Sequence, residues 1–153
     1  MTDPTEIVLA TIRAVEQRDV DALAELCHDD VEFFDAPSLP YGGQRRGKDE
    51  LRADVQAAPN SWFGTWGPLQ PTPAERRMDA RVVAAHDDEV AVLYRQRALS
   101  PAGERLDAPV FALYQVREGK FARAQMFHYD TAAILAFLKR ANSADRSCDG
   151  QDV

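Results

Sequence analysis

The chain has 153 residues, of which 45% are hydrophobic and 28% charged, close to the averages of folded soluble domains. That balance excludes wholesale disorder and fibrous repeats, and the length suits one domain with a sizeable core. The 18 basic and 25 acidic residues leave a net charge of -7, which opposes attraction to phosphate backbones and anionic membranes, so neither a nucleic-acid nor a membrane partner is expected.

In chain order, Ile7, Leu9, Ile12, Ala14 and Val15 recur at helical spacing behind Asp3-Pro4, an N-cap followed by proline at the first helical position, so helix one is predicted over 4 to 18. Asp19 caps a second short helix with Val20, Leu23, Ala24 and Leu26 inward, ending at His28-Asp29-Asp30. Residues 31 to 35 read as a strand, residues 36 to 43 as a Pro/Gly loop, and residues 47 to 57 as a third helix stopped by Pro59. The pattern then alternates. Segments near 62 to 69, 76 to 86, 89 to 99, 105 to 117 and 120 to 129 are predicted strands, joined by turns such as Pro101-Ala102-Gly103 and Glu118-Gly119-Lys120. Asp130-Thr131 opens a last helix, and residues 142 to 153 are expected to form a polar, disordered tail after a single domain of 1 to 141. Helices followed by hairpins imply an α+β fold with the helices gathered on one face of a curved sheet.

Several chemistries lack support. Cys27, in a helical segment, and Cys148, in the tail, sit in no C-x-x-C pair and beside no histidine cluster, so neither a disulfide framework nor a metal site is expected. No H-E-x-x-H, G-x-S-x-G or G-x-G-x-x-G occurs, and no cofactor is expected. The segment from Met1 to Glu6 has neither the basic nor the apolar part of a secretory leader, and no apolar run nears the ~20 residues of a membrane helix, so a cytoplasmic location is expected.

The order of helices, Asp30-Val31-Glu32-Phe33, the Pro/Gly loop and the long hairpins resembles the nuclear transport factor two-like superfamily. Leu39 to Lys48 and Phe127 to Ala133 look most like its SnoaL-like branch, which includes polyketide cyclases, with ketosteroid isomerases as structural cousins. The resemblance implies a cone-shaped, mixed or antiparallel sheet, N-terminal helices on its concave face and a C-terminal helix. It also implies a pocket in the cone for a hydrophobic small molecule, and a homodimer is expected because the sheet's outer face carries more apolar and aromatic side chains than a monomer of this size should leave in water. An ungapped overlay on the isomerases puts their general-base aspartate on Asp35 and their two oxyanion donors on Thr11 and Phe111, so neither donor is present. The same overlay sends Ala124, Met126 and His128 of the last strand, and Tyr94, Gln96 and Ala98 of the hairpin strand, into the pocket, with His128 across the cavity from Asp35.

The expected enzyme is a cofactor-independent cyclase, isomerase or lyase acting on a hydrophobic carbonyl compound. Asp35 serves as base, and His128 orients or protonates. Tyr94 and Gln96 bind oxygen, and Phe34, Trp62, Phe111 and Met126 form apolar walls. Tyr41, beside Gly42-Gly43, is a lid residue. Against these stand plainer roles: Asp35 as a turn cap, His128 as a core or interface residue, and Trp62, Phe63 and Trp66 as packing. Asp130 is read first as the cap of the last helix and held as a reserve acid or base. Arg45-Arg46 is read as solvated surface. The alternative function is a non-catalytic ligand-binding or dimeric assembly module of the same fold.

Overall fold

The computed structural model describes residues 3–149, with side chains described through residue 143. Helix α1 (Pro4–Gln17) starts on Asp3 and ends where Arg18 turns left-handed at φ 57. Helix α2 (Val20–Leu26) is capped by Asp19, whose carboxylate accepts from Ala22 N at 3.1 Å. These caps satisfy the free amides of each first turn, so both helices begin where the caps fall.

Strand β1 (Cys27–Asp35) follows at once, and it takes in Cys27, which the helical pattern had claimed. Strand β2 (Gly43–Arg46) pairs antiparallel with it and was hidden in a stretch that reads as charged loop. Helix α3 (Lys48–Val55) comes next. The predicted strand near 62 to 69 is instead helix α4 (Trp62–Trp66) and a 3₁₀ turn. Aromatic content suggested a strand, but Ser61 accepts from Gly64 N at 2.9 Å and thereby starts a helix. A four-residue helix α5 (Pro73–Arg76) takes the start of the next predicted strand, leaving β3 as Arg81–His86.

Strands β4 (Glu89–Leu99), β5 (Arg105–Arg117) and β6 (Lys120–His128) fall where alternation placed them, within one residue. Helix α6 (Thr131–Asp149) begins on Asp130, which accepts from Ala133 N at 3.0 Å. The tail expected over 142 to 153 lies, apart from Asn142 and Ser143, outside the described side chains.

The six strands form one open sheet in the order β2-β1-β6-β5-β4-β3. All neighbours are antiparallel except β1 and β6, which run parallel. Register breaks in β1–β6, β3–β4 and β5–β6 add local twist, as bulges do. In β4 every second residue from Val90 to Ala98 is buried, so that row faces the helices. One core lies between α1, α2 and this face, around Val8, Ile12, Val31, Val92 and Val110. A second joins α6 (Ile134, Phe137, Leu138) to Leu39, Tyr41, Trp66 and Ala98. The helices thus share one face of the sheet, and on the other Phe111 and Phe127 stand exposed opposite each other.

Candidate active site

Between α1, α3, α4 and the helix-covered face of the sheet lies a cavity of about 130 Å³, with walls that are mostly apolar. That volume is close to one known to accept a ring compound in an apolar interior. Phe33, Ala124 and Met126 form its sheet wall, and Ile12, Val15 and Leu51 its helical wall.

Asp35 ends β1 and lines the cavity, with its side chain 7% exposed. Its Oδ1 takes two hydrogen bonds, from the amide of Ala36 at 2.9 Å and from His128 Nε2 at 2.6 Å. Oδ2 receives none among the described residues. Asp35 therefore caps a turn with one oxygen and offers the other to the cavity, so the two roles weighed for it coexist. An oxygen whose partner is held by two donors cannot swing away, which fixes the direction of the free lone pairs.

His128 does not stand across the cavity. Because β6 lies parallel to β1, with Phe33 beside Ala124 and Phe34 beside Gln125, His128 reaches Asp35 from the adjoining strand. Its ring is 2% exposed and Nδ1 is buried with no partner. A carboxylate only accepts, so in this contact Nε2 is the donor to Asp35. His128 touches the carboxylate and not the cavity, which makes it a positioning group.

Three tyrosines surround Asp35. Tyr94 and Tyr114 line the cavity, and neither makes a side-chain hydrogen bond. Burial pushes the Tyr94 phenol well above its ordinary range, helped by Tyr114, by the Asp35 charge and by Tyr41; burial and then Asp35 do the same to Tyr114. Both stay protonated donors at neutral pH. Tyr41 is raised by burial and by Asp35, with the nearby Trp66 opposing. Its ring meets Trp66 edge-on at 6.0 Å and its hydroxyl is sealed from solvent.

The loop before β2 is not a hinged lid. Leu39 N bonds Ala36 O at 3.0 Å, Gly42 N bonds Leu39 O at 2.9 Å, and a Cβ on Gly42 would stand 1.8 Å from Ala36 O. Gly42 is needed for that close approach, and the loop holds Tyr41 as a fixed plug. Among the other predicted site residues, Met126 and Trp62 line the cavity, Trp62 from a helix rather than a strand. Gln96 is buried on the same face as Tyr94 but beyond the cavity lining. Phe34 faces away, with Arg123 over its ring at 4.5 Å, and Phe111 is on the open face. In β5 it is Val110 that turns inward, so the overlay was one residue out of register, which exchanges the two faces. Asp130 is the cap of α6 and lies outside the cavity. Thr11 lines it, but its hydroxyl donates to Ile7 O at 2.8 Å.

Four polar residues of the cavity lay outside the expected site: Tyr114, Asp54, Arg45 and Glu50. Tyr114 shares the inward row of Val110 and Ala112, which alternation shows once that row is fixed. Asp54 at the far wall accepts from Trp62 N at 3.0 Å, and burial raises its carboxyl above the usual range despite that bond. Arg45, read as surface, turns inward, opposite Phe33 in the β1–β2 pair.

Among the described residues no group of side chains is arranged for a metal ion, and no helix is long and apolar enough to cross a membrane. The model of the SnoaL-like domain matches residues 8–124, and the chain belongs to that family. The fold is that of the nuclear transport factor two-like proteins. TerC, co-crystallised with polyporic acid, is 21% identical, with a TM-score of 0.68 and coverage of 89% of this chain and 98% of its own. A candidate polyketide cyclase from Xanthomonas campestris pathovar campestris is 19% identical at TM-score 0.68, covering 88% and 96%. A nuclear transport factor two-like protein of unknown function from Burkholderia pseudomallei is 16% identical at TM-score 0.72, covering 90% and 98%. No curated protein matches the chain by sequence.

Proposed function

We propose that this protein is a cofactor-independent enzyme that moves a proton at the carbon beside a carbonyl of a hydrophobic substrate, in a cyclisation, isomerisation or lyase step. The observation that carries the reading is the free Oδ2 of Asp35, beside a mostly apolar cavity whose two open phenols, Tyr94 and Tyr114, have no hydrogen-bond partner among the described residues. The C–H bond breaks, its proton passes to Oδ2, and charge moves onto the carbonyl oxygen, where the two phenols donate. Donors already in place cost no reorganisation as that charge grows. The conjugated enolate then takes that proton back from Oδ2 at another carbon, or attacks a second carbonyl whose new alkoxide takes the proton from Oδ2, and either course restores the carboxylate. His128 keeps Oδ1 engaged so that Oδ2 is the reacting atom. The phenols would replace the isomerase donors absent at Thr11 and Phe111.

Support also comes from the family and from the folds shared with TerC and the candidate cyclase. The test needs no natural substrate. The protein is expected to speed deuterium exchange at the α-carbon of 1-tetralone in heavy water, followed by NMR, and Asp35→Asn is expected to lose about 10²–10⁴-fold of that rate. Binding of the ketone without accelerated exchange would overturn catalysis and favour a ligand-binding module.

We further propose a homodimer formed through the open sheet face, where the exposed Phe111 and Phe127 are cross-strand partners.

A further inference from the structure

The cavity contains a cation that the chemistry at Asp35 leaves unused. Arg45 sits in β2 opposite Phe33, two residues along the strand from Gly43, which pairs with Asp35. Its side chain therefore enters the cavity at a level ~7 Å from that of Asp35. One terminal nitrogen donates to the carbonyl of Asn60. Nε is buried with no partner, and Arg45 forms no ion pair among the described residues.

The Arg45 charge reaches Asp54 and eases its carboxyl downward against burial, but neither of the two other carboxylates of that wall hydrogen-bonds or ion-pairs with the guanidinium. Glu50 accepts from the amide of Arg46 at 3.4 Å, and Asp54 from the amide of Trp62 at 3.0 Å. A guanidinium N–H sealed from water with nothing to donate to is expensive to keep. In a mostly apolar cavity its missing partner is an acceptor on whatever fills the cavity.

Resting on the proposed function, we propose that Arg45 binds a second acceptor oxygen of the substrate, so that the substrate class is an apolar ring compound with oxygens at both ends. One oxygen meets Tyr94 and Tyr114 next to Asp35. The other meets Arg45, at a spacing that two fused rings bridge. Arg45 then selects the substrate and sets its direction, while taking no part in the proton transfer.

Calorimetric titration of 1-tetralone and 6-hydroxy-1-tetralone tests this, since they differ by one oxygen at the far end. The wild-type protein is expected to bind the hydroxy compound about tenfold tighter. Arg45→Gln is expected to remove that preference while binding the parent ketone unchanged, which also shows that the variant is folded. Arg45→Lys, which keeps the charge, is expected to retain part of the preference. Equal binding of both ketones by the wild type, or an undiminished preference in Arg45→Gln, would overturn the role of Arg45 and leave the proposed function standing. Failure of both ketones to bind the wild type would overturn the two together.

Discussion

Asp35 and His128 come from the two strands that run parallel in an otherwise antiparallel sheet, and they meet at 2.6 Å on the face that the helices cover. In the proposed chemistry this side-by-side contact leaves His128 to hold Oδ1, apart from the oxygen that takes the proton. His128→Ala is expected to lower the exchange rate of 1-tetralone about 10²-fold with little change in KM, because a base misplaced by about 1 Å costs that much. His128→Gln, which can still donate, is expected to recover part of the loss. An equal fall in both variants would show that the ring fills space only.

The open phenols give the opposite signature in stability and rate. Tyr94→Phe and Tyr114→Phe remove hydroxyls that have no partner among the described residues, so each variant is expected to unfold within about 1 kcal/mol of wild type, or slightly later. Exchange of the ketone should nevertheless fall about tenfold or more in each, since removing an oxyanion donor has cost other enzymes about 10²–10³-fold. Thermal melts and NMR exchange on the same samples check the pair.

Alkaline pH should expose the burial of the tyrosines. For Tyr41, Tyr94 and Tyr114 the folded phenol is raised, so above the ordinary value of about 10 the unfolded state loses protons that the folded state keeps. Stability is therefore full below that pH and falls as pH rises through it. Phenolate absorbance of these three is expected to appear together with loss of ellipticity, in one transition. Cys27, buried and pushed up to about 12, should likewise resist thiol reagents until the same transition.

Two adjacent glycines separate strain from clash. Gly43 has φ +90 with open space around it, so Gly43→Ala is expected to cost about 1–2 kcal/mol. In Gly42→Ala the new Cβ meets Ala36 O at 1.8 Å, backbone that cannot turn aside. That variant is expected to lose about 3 kcal/mol, roughly 6–12 °C in melting temperature at this chain length. It should also lose activity, because Ala36 carries the amide that anchors Asp35.

Replacing Phe127 by Asp would place a charge in the proposed dimer face without touching the cavity. A sedimentation mass of two chains for wild type and one for Phe127→Asp is expected at micromolar concentration. A wild-type mass of one chain would remove the dimer.

Much of this was legible in the residues. Asp3, Asp19 and Asp130 mark three helix starts through their side chains, and the alternation of Val90, Val92 and Tyr94 fixes an inward row without tertiary information. What stayed hidden depended on neighbours. The strand Gly43–Arg46 has charged residues that make sense only against β1, where Arg45 lies opposite Phe33 and lines the cavity. The Trp62–Trp66 helix carries strand-prone aromatics that a serine cap overrides. The Asp35–His128 contact needs the parallel pairing of distant strands, which no local period records, and a one-residue error put Phe111 inside in place of Val110.

That pairing joins residues 93 positions apart in the chain. During synthesis, β1 and β2 emerge early and can close a hairpin, yet the edge of β1 waits for the sixth strand, and closing so long a loop comes late and slowly. A nascent or truncated chain that ends before residue 120 would carry Asp35 without His128, its carboxylate held by the Ala36 amide alone. The proposed chemistry is thereby incomplete in every partly made molecule, and the α-proton exchange rate during refolding should reach its full value only with the final cooperative step.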